Sequence, residues 1–338
     1  MYLILLSFIL SPIYLWSSGL PQFSHIVATF AFFYRFITKP RLYWEKFWVT
    51  GVVFVAYTFF VGLIVFAMYE DLKTILSPCY YTYGLLIFLV VITFCKEKGK
   101  VFLYHVFWIH ILILGILTVL SISGFGRQMG AGERIMVTFN DPNQMANWIL
   151  WATIVVGVTG KVIYRSWLPG LLTLGLALLA ISFTASRSGG IGLFVLLFVY
   201  CLMGVSLIMQ YFKNINIISI KRQQLFIILS LLIVLVVTII YFMLNSEYTE
   251  YVFSQFDIWL RRFQDRGPYT TLEGRGYDRL WKFPEYLFFG AGEGAHYRYA
   301  ERTWFLGEIH SSWAGLLFCY GVIGTLLFGG FIYNLLRR

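Results

Sequence analysis

Charge is what this sequence has least of. Only 12% of its 338 residues are Asp, Glu, Lys or Arg, against 59% hydrophobic residues. Water-soluble domains carry about 25% charged residues. A soluble globular protein is therefore excluded, and the mean hydropathy of +0.75 points to an integral membrane protein. Cysteine is scarce as well. Cys79, Cys95, Cys201 and Cys319 lie far apart in apolar runs with no CxxC pair, so they read as small hydrophobes and not as a disulfide framework or metal site. No internal repeat, low-complexity linker or soluble domain is visible. The first apolar segment lacks a basic leading region and a small-residue cleavage site, so it is expected to be a span and not a signal peptide.

What is present is a series of apolar runs long enough to cross a bilayer as helices, without the alternation of a barrel strand. The expected spans lie near 2–19, 22–38, 47–69, 75–95, 101–123, 143–163, 167–184, 188–211, 225–244 and 309–336. One set of short loops carries Lys39, Arg41 and Lys46, then Lys96, Lys98 and Lys100, then Lys161 and Arg165, then Lys213, Lys221 and Arg222, and last Arg337 and Arg338. The alternate set carries only Lys73, then Arg127 and Arg134, then Arg187. The positive-inside rule makes the first set cytoplasmic. The net charge of +10 is thereby explained without nucleic acid. The expected organisation is transmembrane helices with short loops over 1–244, a large outer loop over 245–308 and a last span over 309–338. The histidines His25, His105 and His110, in or near spans, read as hydrogen-bonded packing residues.

Two polar islands break the apolar pattern on the expected outer face. The smaller is Thr184-Ala185-Ser186-Arg187-Ser188-Gly189-Gly190. Ser186 can cap a helix that starts after it, and a helix N-terminus with a guanidinium beside it suits phosphate. Gly189 and Gly190 allow another helix or a ligand to approach the backbone. Near it in the chain order is Gly124–Asn143, which ends in Asn140-Asp141-Pro142-Asn143; Asp141 or Asn140 can cap the next helix, with Pro142 in its first turn. The cap leaves Asn143 unexplained, and a sugar-facing amide is one reading of it. The larger island runs from Glu273 to Gly324. Arg275 and Arg279 would share a face if the segment is helical. The turn Gly290-Ala291-Gly292-Glu293-Gly294 suits backbone close to a ligand, followed by His296 and then by Glu308 and His310 at the head of the last span. Between the islands, Phe253–Phe263 is expected to be an amphipathic helix on the membrane surface.

Four pieces carry a resemblance. They are N-D-P-N at 140–143, T-A-S-R-S-G-G at 184–190, G-R-x-x-x-R-x-W at 274–281 with the glycine turn at 290–294, and H-S-S-W…Y-G-V-I-G at 310–324. In this order and sidedness they resemble the bacterial O-antigen polymerase and O-antigen ligase superfamily (Wzy and WaaL type), over roughly the C-terminal two-thirds of the chain. Ser311 stands where the family more often has asparagine. The resemblance implies an all-α polytopic fold of about ten transmembrane helices with a large periplasmic loop, similar to GT-C enzymes, in the bacterial inner membrane with the active site facing the periplasm. It implies a metal-independent, inverting glycosyltransferase without a cofactor, acting on undecaprenyl-pyrophosphate-linked oligosaccharide. A chain-length regulator is a candidate partner, besides membrane lipid.

The residues suit that chemistry. A pyrophosphate leaving group needs positive charge; no D-x-D occurs, so arginines are expected to supply it. Arg187, with Arg275 or Arg279, is the expected clamp. His310 is the expected base for the acceptor hydroxyl, with His296 in reserve. The expected substrate-binding residues are Asn143, Ser186, Glu293, His296 and Glu308. The favoured acceptor is a second lipid-linked repeat unit, which makes a polymerase. The alternatives are a ligase transferring to lipid A core or protein, and a lipid-linked oligosaccharide flippase, which would show repeat symmetry and charge at mid-membrane.

Overall fold

A computed structural model describes residues 1–16, 21–39, 43, 47–129, 134–213, 246–264, 271–309 and 311–337. The chain is mostly helical. In order the elements are α1 (Tyr2–Leu10), α2 (Phe23–Thr38), α3 (Phe47–Tyr69), α4 (Lys73–Lys98), α5 (Lys100–Ile122), β1 (Arg127–Met129), β2 (Arg134–Val137), α6 (Pro142–Tyr164), α7 (Leu168–Thr184), α8 (Arg187–Lys213), α9 (Ser246–Gln264) and α10 (Ser312–Leu336). Among the described residues α3, α4, α5, α6 and α10 are long and apolar enough to cross a membrane, while α2, α7 and the start of α8 are apolar but shorter. The protein is thus a helical membrane protein. The expected span at 225–244, and the loop cations Arg41, Lys46, Lys221 and Arg222, lie outside the described residues.

The helix ends follow from local chemistry. Asp141 caps α6, its carboxylate accepting from the backbone N–H of Asn143 and Gln144 at 2.7 and 3.3 Å, with Pro142 in the first turn. Ser311 caps α10 by accepting from Ala314 N, a function that serine fills as well as asparagine. The first expected span, 2–19, is corrected: α1 ends at Leu10. Pro12 cannot continue a helix, and the Ser11 hydroxyl turns back to the Phe8 carbonyl. The chain beyond pairs with the 138 region, Tyr14 N donating to Thr138 O at 3.1 Å.

A second departure is a short antiparallel pair, β1 with β2, within the Gly124–Asn143 stretch, where no strand was expected. Gly126 makes it feasible. Its φ is +107°, and a Cβ there would lie 2.7 Å from the Val137 carbonyl oxygen. Ile135 and Val137 point into the core beneath.

The contacts divide the chain into two compact units, one of residues 1–31 and 94–264 and the other of 32–93 and 265–338. In the first unit α5, α6 and α7 pack around Leu114, Leu117, Met145, Ile149, Ala177 and Ile181. Small residues bring α6 and α7 together: a Cβ on Gly170 would lie 2.7 Å from Gly157 Cα. In the second unit α3 packs on α10, with Phe54, Val61, Leu316 and Tyr320 between them.

Candidate functional site

In the first unit the two short polar motifs meet. Ser186 caps α8 by accepting from Gly189 N at 3.2 Å and donates its hydroxyl hydrogen to Asn143 Oδ1 at 2.8 Å. The same Asn143 oxygen accepts from Arg134 Nη2 at 3.4 Å, and Arg134 Nε donates to the Thr184 carbonyl at 3.1 Å. The amide that capping left unexplained therefore joins the N-D-P-N and S-R-S-G-G segments. Arg127 donates to Asn140 Oδ1 alongside.

The helix expected to lie on the membrane surface, α9, packs on α7 and α8. Trp259 is buried and its indole N–H donates to the Ser186 carbonyl at 3.1 Å. Phe253 and Leu260 stay exposed on its other side. The two glycines of the island admit protein: a Cβ at Gly189 would sit 2.7 Å from Ala146 Cβ, and one at Gly190 2.5 Å from Trp259 Cζ2. Gly190→Ala should therefore lower thermal stability by about 1–3 kcal/mol, the usual cost of overpacking; unchanged unfolding in detergent would mean that α9 is not held there.

Burial lowers the pKa of the Arg134 guanidinium; Arg262 and Arg187 press in the same direction, and Asp141 opposes them. Asp141 is already occupied by the α6 N-terminus. Arg262 Nε is buried and has no hydrogen-bond partner among the described residues. Among the described residues, Arg134 registers the charges of Arg262, Arg187 and Asp141, so three guanidiniums lie near one another at the mouth of α8. Reading the sequence put Arg187, Ser186 and Asn143 in the site but missed Arg134 and Arg262. Arg134 was visible as an outer-loop cation; nothing in the pattern of α9 marked Arg262.

The second unit holds the remaining predicted residues. Arg275 ends a 3₁₀ turn at Glu273–Arg275, and Gly276 then turns left-handed at φ +71° before the single helical turn Arg279–Lys282. The expectation of Arg275 and Arg279 on one helix face is corrected by that glycine. Arg279 is 1% exposed. Its Nη2 donates to the carbonyls of Phe305 and Gly307 at 2.6 and 2.7 Å, and its guanidinium lies 4.7 Å from the centre of the Tyr299 ring. Those contacts make it a strut for the 303–307 turn. His296 lies 3.4 Å from Arg279 Nη1 through Nδ1. Burial, followed by the charges of Arg279 and Arg298, holds its pKa down to about 4, so the ring is neutral at neutral pH and a weak base. Because protonation is resisted in the folded state, stability is lost as pH falls from the ordinary histidine value of 6.5 toward 4. His296→Phe should flatten that part of the stability profile relative to the parent, as read by thermal unfolding between pH 7 and 4.5.

Glu293 is the focus of the second cluster. Its carboxylate accepts hydroxyls from Ser77, from Tyr320 at 3.0 Å and from Tyr81 at 3.3 Å. Arg298, which sequence reading did not select, holds the glycine turn by donating to the carbonyls of Ala291 and Gly292. Asp71 accepts from Ala295 N at 2.6 Å, fixing the same turn to the α3–α4 connection. His310 lies outside the described residues. Compared with protein-family models, curated proteins and solved structures, the chain matches none.

Proposed function

We propose that this membrane protein is a polysaccharide polymerase of the O-antigen polymerase and ligase type. In this reading it transfers an undecaprenyl-pyrophosphate-linked glycan to a sugar hydroxyl of another lipid-linked repeat unit, on the periplasmic side of the inner membrane. The observation that carries the reading is the gathering of Arg134, Arg187 and Arg262 at the N-terminus of α8. Such a cluster suits a multiply charged phosphate group, because guanidinium forks pair with its oxygens and the helix end adds backbone N–H groups.

In the proposed reaction the acceptor hydroxyl oxygen attacks the anomeric carbon as the bond from that carbon to the pyrophosphate oxygen breaks. The lipid pyrophosphate leaves with the electron pair, and the arginines stabilise the negative charge that develops on it. The hydroxyl proton passes to a general base; His310, the candidate from the sequence, lies outside the described residues. Attack opposite the leaving group inverts the anomeric centre. Ser186 and Asn143 position Arg134, while Arg279, by its contacts, supports the fold of its own loop.

The test is incubation of the purified protein, without added metal, with its host's lipid-linked repeat unit. A ladder of lengthening glycans is expected. A single transfer that needs lipid A core or a protein acceptor would make it a ligase. Movement of the intact lipid-linked sugar across liposomes with no new glycosidic bond would make it a flippase.

A further inference from the structure

The last span is not a continuous helix. Gly321, the tenth residue of α10, has φ +65° and ψ −173°, and the chain from Leu287 to Gly292 fills the break. Val322 N donates to Leu287 O at 2.8 Å and Ile323 N to Phe288 O at 3.5 Å; Ala291 N donates to Phe318 O at 2.9 Å and Gly292 N to Cys319 O at 2.7 Å. At about 1.5 Å per residue, Gly321 lies about 14 Å from the start of α10. A second helix gives an independent gauge. Tyr57, the eleventh of the 23 residues of α3, donates its hydroxyl hydrogen to Phe289 O at 2.7 Å. It lies about 18 Å from the Tyr69 end of α3 by the same rise.

Both gauges run in the same direction. Along α3 the segment climbs from Phe289 at Tyr57, through Gly292 against Val65, to Ala295 at Asp71 beyond the helix end. Along α10 it climbs from Phe288 at Ile323 to Gly292 at Cys319. Both helices are long and apolar enough to cross a membrane, and a hydrocarbon core is about 30 Å thick. The tip of the segment is therefore level with the middle of two spans.

We propose that residues 286–294 are a re-entrant membrane segment, with Phe288 and Phe289 at its tip in contact with lipid hydrocarbon. Two further features fit lipid as the occupant. Phe288 and Phe289 are 58% and 61% exposed, which suits a bilayer interior and not water. Much of the backbone is also bonded within the protein. The carbonyls of Leu287, Phe288, Phe289, Ala291 and Gly292 all accept, and the N–H groups of Gly290, Ala291 and Gly292 all donate. Irregular backbone is tolerated at membrane depth only when protein satisfies it in this way. Gly290 and Gly321 make the fit feasible: a Cβ on Gly290 would strike the backbone at Cys319 and Tyr320, and one on Gly321 the Phe288 carbonyl. The loop expected to lie wholly outside the membrane would then dip into it and carry Glu293 to the rim of the bilayer.

This inference is independent of the glycosyltransferase reading. Its test uses single cysteines in the full-length protein, with Cys79, Cys95, Cys201 and Cys319 replaced by alanine. Phe288→Cys and Phe289→Cys are compared with Glu301→Cys, an exposed position of the same loop. In membranes, a membrane-impermeant maleimide should label position 301 at least tenfold faster than 288 or 289. Nitroxides at 288 and 289 should collide more with oxygen than with a water-soluble nickel chelate, and one at 301 the reverse. The more conservative Phe289→Trp, with its fluorescence quenched by lipids brominated at mid-chain, guards against a misfolded cysteine variant. Equal labelling at all three positions, or quenching only by lipids labelled near the headgroup, would overturn the proposal.

Discussion

Arg187→Ala is expected to reduce glycan transfer by about 100-fold or more, the usual loss when one donor to a developing anion is removed. Arg187 begins α8 and is one of the charges that Arg134 feels. The fall should appear mainly in kcat, because the charge it meets grows as the lipid pyrophosphate departs. Arg187→Lys should recover part of the rate but not all of it, since an ammonium keeps the charge and loses the fork. The α8 cap rests on Ser186 and not on Arg187, and unfolding temperature measured alongside separates lost transfer from lost fold. Arg134→Ala is a less clean variant: it also releases the Thr184 carbonyl, so stability and turnover should fall together. Near-normal turnover in Arg187→Ala would remove this arginine from the leaving-group site.

The second large effect is structural. Gly321→Ala should prevent normal packing of the 287–292 segment. A backbone at φ +65° and ψ −173° is essentially confined to glycine and costs another residue about 1–3 kcal/mol, and overpacking adds about 1–3 kcal/mol. Here the added methyl would meet backbone atoms of Phe288 and Gly290, which cannot swing aside as a side chain can. The matched control is Gly329→Ala in the same helix, where a Cβ would meet nothing within 4 Å. The first variant should lose folded protein on size-exclusion chromatography, or melt well below the second. Equal melting would show that the break in α10 is not needed for folding.

Much of the helical framework was legible in hydropathy, since long apolar runs in lipid have few alternatives. The start of α6 was readable to the residue because Asp141 and Pro142 have distinct roles at a helix end. Both the S-R-S-G-G and N-D-P-N islands were visible because they interrupt apolar sequence. Their meeting through Ser186 and Asn143 depended on which helices pack together, which no local pattern records. Arg262 stayed hidden for the same reason: its place in the cluster depends on α9 lying against α7 and α8. In the second unit the glycine turn was conspicuous, but its partners were not. Ser77, Tyr81 and Tyr320 sit within apolar helices, and a hydroxyl aimed at Glu293 leaves no trace in composition. Gly321 was equally silent, as one small residue in an apolar run reads as packing. Arg279 shows the converse. A conspicuous arginine in a polar loop suggested a chemical role, while its burial and its carbonyl partners, Phe305 and Gly307, could be seen only in the fold.

The most direct measurement follows the leaving group. Purified protein in proteoliposomes would be given the lipid-linked repeat unit as sole substrate, with undecaprenyl pyrophosphate and glycan length quantified over time. The account predicts one undecaprenyl pyrophosphate released for each glycosidic bond formed, with both abolished together in Arg187→Ala. Intact lipid-linked repeat units and no released pyrophosphate, in a preparation that remains folded, would contradict it.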